Sequence, residues 1–106
     1  MHGVQTKRAI NSMTAKYIIK NIFRITGRGL VLAGYIEEGE VFIGDYIEFS
    51  IFEKTIKRKI LGVEGIRKAN ADNTNTGLLI ECHSEKEIDE LGQWIPKDEI
   101  GLVTKD

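Results

Sequence analysis

Between residues 16 and 63 polar and apolar side chains repeatedly alternate with a period of two, and the alternating runs are punctuated by glycine. Two is the period of a β-strand, whose successive side chains point to opposite faces, so each run can bury one side and wet the other. Residues 16–25 place Tyr17, Ile19, Phe23 and Ile25 on one side and Lys16, Lys20 and Arg24 on the other. Thr26-Gly27-Arg28-Gly29 then offers two positions that accept positive φ, and residues 30–37 are again β-prone. The two runs read as a hairpin.

Further strands are predicted at residues 46–49 and 56–63, the latter continuing toward Ile66. Residues 69–77, with Asn70, Asp72, Asn73 and Asn75, read as a loop. Leu78-Leu79-Ile80 reads as a strand buried on both sides. Residues 84–91 carry the one helical signal: Ser84 and Glu87 have capping-box spacing, Ile88 and Leu91 share a face, and Gly92 suits the C′ position. Gln93-Trp94-Ile95 reads as the last strong strand, stopped by Pro96, with residues 99–103 pairing at an edge.

Many short strands and one short helix leave a closed barrel or a small sandwich, and branched aliphatics at the inward positions favour a barrel filled by side chains. The length, 106 residues, suits a single domain. Residues 1–13 have no period and are expected to be a mobile N-terminal segment, with the barrel over 14–106. A second methionine, Met13, suggests translation starting there, with the preceding stretch as leader or cloning residue.

Chemistry is harder to find. No segment has the G-x-x-x-x-G-K-[ST] spacing of a phosphate cradle, so autonomous nucleotide hydrolysis is not expected. Cys82 adjoins His83, but strand neighbours point apart, and Cys82 reads as a buried apolar thiol. Two histidines and one cysteine without ligand spacing predict no metal site. Glu85, Glu87, Asp89 and Glu90 read as the solvated face of the helix. Catalytic residues and cofactors are therefore expected to be absent. A net charge of −1 gives no global pull toward nucleic acid, leaving a secondary basic patch at Lys57, Lys59, Arg67 and Lys68, with Arg58 on the opposite face of its strand.

Phe23, Ile25, Gly27-Arg28-Gly29, Val31 and Gly34 follow the order F-x-I-x-G-R-G-x-V-V-x-G. Gly39, Gly44-Asp45 and Gly62-Val63-Glu64 with Arg67-Lys68 come next, then Asn75, Gly77 and Ile80, and finally Ile88, Gly92 and Ile95. Over residues 17–95 this series resembles domain II of elongation factor Tu and related translational GTPases. The resemblance implies a six-stranded translation-factor-type barrel without a catalytic role, beside a GTPase domain that this chain lacks. In elongation factor Tu that barrel holds the aminoacylated end of transfer RNA. Of the residues that do so, the resemblance puts Lys20 and Asn21 in place of an acidic pair, matches Phe23, replaces a threonine by Ala33, and matches Asn75. Losing the acidic pair removes the groups suited to a positively charged amino group.

The expectation is thus a stand-alone, non-catalytic binding module whose contact residues are Lys20, Asn21, Phe23, Arg28 and Asn75. RNA or the ribosome is one expected partner; the alternative is a translation-related protein, either a factor that the barrel mimics or binds or a toxin directed at one. One cysteine cannot form an internal disulfide, and no apolar run has the length to cross a bilayer, which suits a cytoplasmic chain free of the membrane. A monomer or an edge-strand homodimer is expected.

Overall fold

The computed structural model describes residues 13–69 and 75–105. Strands β1 (Met13–Ile25), β2 (Gly29–Gly39), β3 (Tyr46–Ile51), β4 (Lys54–Gly65), β5 (Thr76–Ile80) and β6 (Glu99–Thr104) form a closed barrel, and α1 (Glu85–Leu91) lies between β5 and β6 in the chain. Around the barrel the order is β1-β2-β5-β4-β3-β6, every neighbouring pair antiparallel. This is the all-β barrel with one short helix that the alternation predicts, with the six strands that the resemblance implies. β1 opens at Met13, inside the expected N-terminal segment; the expected mobility of residues 1–12 lies outside the described residues.

Inward positions supply the aliphatic filling: Ile19, Leu30, Leu32, Ile47, Ile60, Leu78 and Val103 are fully buried. Tyr17 is the one large polar group among them. Its hydroxyl lies 3.0 Å from the Leu32 carbonyl oxygen and beside that of Thr76, donating to one at a time, and burial pushes its pKa up. Among the described residues no buried side-chain nitrogen or oxygen lacks a hydrogen-bond partner.

One end of the barrel is tied by the buried Asp45. Its carboxylate accepts from the Phe42 N–H (3.1 Å) and the Thr14 hydroxyl (3.3 Å), and the Lys105 ammonium stands 3.3 Å away. These donors join the start of β1, the turn after β2 and the residue beyond β6. At the other end α1 and the segment after it form a cover. Ser84 accepts from the Glu87 N–H at 3.1 Å, as the capping-box spacing predicts, while the Glu87 carboxylate reaches back to the His83 N–H at 2.8 Å.

Several expectations are corrected here. Residues 93–95 are not a strand: Trp94 instead stacks on Phe49, with ring centroids 5.6 Å apart and planes 15° from parallel. β6, expected at an edge, closes the barrel between β1 and β3. Every strand therefore has two neighbours, and an edge-strand homodimer has no complete free edge on which to form. Thr76 and Gly77 belong to β5 rather than to the preceding loop, whose residues 70–74 lie outside the described residues. Leu79 is only half-buried, because β5 alternates like its neighbours and has one outer face. Gly92 keeps right-handed backbone (φ −66°), so it is no left-handed cap.

The acidic face of α1 is likewise not simply solvated. Glu87 is mostly buried and pairs with Arg58, whose Nε donates to Oε1 at 3.2 Å; Arg24 bridges to Glu85 at 2.8 Å and to Asp89. The Arg58 hydrogen bonds hold the Glu87 carboxyl below its ordinary range. A depressed carboxyl pKa stabilises the fold above the unfolded value, about 4.3, and that contribution disappears as pH falls through the folded value. Glu87→Gln, which keeps an acceptor for His83, is expected to cost about 1–2 kcal/mol at neutral pH. In denaturant melts the gap between parent and variant should shrink below about pH 4.3; a gap independent of pH would show that the Arg58 pair contributes nothing.

Candidate functional site

The register across four strands determines what the outside of the barrel presents. Phe23 on β1 faces Val31 on β2, Val31 faces Leu79 on β5, and Leu79 faces Gly62 on β4. The next outward row runs Asn21, Ala33, Gly77, Glu64. An aromatic ring thus begins one row, and the other is floored by the two smallest side chains. Extended backbone with no side chain above it leaves a depression, and two adjoining hollows occupy this surface.

Phe23, Arg28, Val31, Gly62, Glu64 and Leu79 are among the residues that line the first, of about 280 Å³. Lys20, Ala33, Gly34, Glu64, Gly65 and Asn75 are among those lining the second, of about 530 Å³. Glu64 and Gly77 line both, so the hollows are one continuous trough. A Cβ placed on Gly77 would meet Val31 at 3.4 Å and Glu64 at 3.8 Å, so a larger residue there would fill the trough without striking backbone.

Four of the five expected contact residues are brought together: Phe23, 45% exposed, with Arg28 at one end, and Lys20 with Asn75 at the other. Lys20 occupies the register shift between Ile19 and Asn21, and its ammonium is 2.7 Å from Asp98, whose hydrogen bond and charge hold it above the ordinary lysine range. Asn21 stands in the outward row but lines neither hollow; its side-chain oxygen accepts from the Ile22 N–H at 2.8 Å. Periodicity alone missed Gly62, Gly77, Leu79 and Glu64. Their signal is glycine at outward positions of strands, which becomes visible as a trough only once four strands are in register.

None of Lys57, Lys59, Arg67 and Lys68 lines this trough. Lys57 and Lys59 point outward on β4, the Lys57 ammonium 5.7 Å from the centre of the Tyr46 ring, while Arg58 turns to Glu87 as the alternation predicts. Arg67 and Lys68 follow β4, where the backbones of Lys68 and Glu40 form an isolated antiparallel β-bridge and the Arg67 carbonyl accepts from the Val41 N–H. Cys82 is half-buried against the core, and burial pushes its thiol pKa up, which suits a packing role and disfavours the thiolate. No helix of the described residues is long and apolar enough to cross a membrane. No family model matches the chain.

Proposed function

We propose that the chain is a non-catalytic, cytoplasmic binding module of the translation-factor domain II type, and that its trough takes a segment of RNA. The observation that carries this reading is the continuity of the two hollows: an exposed ring, two cations and an amide surround a floor of glycine. A base stacks on the Phe23 face, since every base presents a π surface and such stacking is sequence-tolerant. Arg28 and Lys20, at opposite ends, meet the phosphates on either side, and Asn75 supplies both donor and acceptor. The Glu64 carboxylate between them repels phosphate and accepts from base amino or ribose hydroxyl groups, which keeps the backbone at the ends of the trough.

Fluorescence anisotropy with labelled transfer RNA and ribosomal RNA fragments at low salt tests this. Binding should weaken as salt rises, because phosphate neutralisation releases counterions. Phe23→Ala is expected to weaken it by about 1–3 kcal/mol through lost stacking. Gly77→Val, which fills the floor, should abolish it while thermal melts show a folded barrel. Absence of RNA binding at low salt, or equal binding by Gly77→Val, would overturn the reading and leave a protein partner as the alternative to pursue by pull-down.

A further inference from the structure

The opposite side of the barrel carries a pattern that the trough does not use. In the closed order β6 stands three strands from β5, so its outer face looks away from the trough floor. Leu102 on β6 faces Glu48 of β3 on one side and Lys16 of β1 on the other. One strand further out the row continues to Lys57 beyond Glu48 and to Glu38 beyond Lys16. Read across five strands, the charges are positive, negative, neutral, positive, negative. The centre is apolar: Leu102 is 40% exposed, and Ile100, the next outward residue of β6, is 52% exposed.

We infer that this face is the interface of a symmetric homodimer. A two-fold axis lying between two such faces, parallel to β6 and above Leu102, sets each residue of the row against the residue equally far on the other side of Leu102. Leu102 then meets Leu102, Lys16 meets Glu48 of the second copy, and Glu48 meets Lys16. The outermost positions, Lys57 and Glu38, also oppose with unlike sign. Reversing the row about its midpoint inverts every charge in it, and that antisymmetry is the condition for a charged surface to complement itself. A net charge of −1 puts little repulsion between copies.

Lys16 is already 3.6 Å from Glu37 and 3.4 Å from Glu38 within its own chain, so the second copy extends an existing exposed pair. The curvature of so small a barrel limits close contact to the central positions, which makes the dimer reversible. Because the interface lies opposite the trough, the dimer presents two troughs facing outward, and a ligand with two sites would be held by both.

Charge reversal in separate chains gives the decisive experiment. Lys16→Glu puts two carboxylates against each other at both contacts of its homodimer, and Glu48→Lys puts two ammonium groups there. Mixed one to one, however, the variants regain an unlike pair at both contacts. Sedimentation velocity on the full chain should show concentration-dependent dimers of the parent, a dissociation constant raised at least about tenfold for either variant alone, and recovery of dimer in the mixture. Leu102→Glu should be monomeric, and Phe23→Ala should associate as the parent does. Circular dichroism of each variant separates loss of association from loss of fold. A parent that stays monomeric, variants that dimerise as well as the parent, or a mixture no heavier than its components would each overturn the inference.

Discussion

Alanine at Gly34 is expected to abolish the folded barrel. Gly34 lies on β2 opposite Ile19, next to the register shift at Lys20, where β1 passes close over its partner. A Cβ at this position would sit 1.8 Å from the Ile18 carbonyl oxygen and 3.2 Å from the Lys20 nitrogen. Both are backbone atoms of the neighbouring strand, so no side-chain rotation relieves the contact; the two strands must separate. Separation breaks the longest pairing of the barrel. The expected loss is more than about 4 kcal/mol, in the range where single substitutions unfold a small domain. Gly27→Ala is the comparison. Gly27 has φ +81° but nothing within 4 Å of its would-be Cβ, so alanine there costs only the left-handed backbone penalty, about 1–2 kcal/mol. Thermal melts followed by circular dichroism should rank the two variants in that order by a wide margin. Similar midpoints would show that β1 yields to a Cβ at little cost and that its close approach does not require glycine at position 34.

Gly34 also shows which parts of the structure were legible beforehand. Alternation located β1, β3 and β4 to within a few residues, because each has one face in the core and one in water; β-prone composition located β2, an apolar run located β5 but not its outer face, and the Ser84–Glu87 spacing located α1. It failed where a residue acts out of its strand context. Gln93-Trp94-Ile95 has the composition of a strand, yet Trp94 stacks on a ring of β3, a contact with no local trace. Residues 99–103 read as an edge because no sequence signal identifies the two partners of β6, which are β1 and β3. The same limit applies to the trough. The resemblance to domain II singled out Phe23 and Asn75, but the glycine floor joining them is distributed over β4 and β5, and only pairing registers bring Gly62, Gly77 and Leu79 beside Phe23. The resemblance puts Asn21 in the site, whereas its side chain accepts a hydrogen bond from the backbone N–H of Ile22.

Truncating Phe49 should have the second-largest effect and should reveal how the covered end of the barrel is held. Phe49 is inward on β3 and buried, with Trp94 stacked over it and Leu91 of α1 in the same core cluster. Phe49→Ala removes the ring from a packed interior and leaves a cavity, at an expected cost of about 3–5 kcal/mol. For a domain of this size that lowers the melting midpoint by roughly 12 °C or more. Phe49→Leu keeps much of the volume without the stack and should cost less, about 1.5 kcal/mol or somewhat more. Trp94 is the only tryptophan, so its fluorescence reports the cover directly. With Phe49 gone one face of the indole loses its neighbour, and emission from the still-folded fraction should shift to the red. The pairs of Arg24 with Glu85 and Asp89 are exposed and contribute little on their own. Hydrogen exchange at residues 85–94 should therefore accelerate more in Phe49→Ala than in a variant lacking Arg24. If removing Arg24 loosens the segment more than removing Phe49, ion pairing rather than aromatic packing seats the cover.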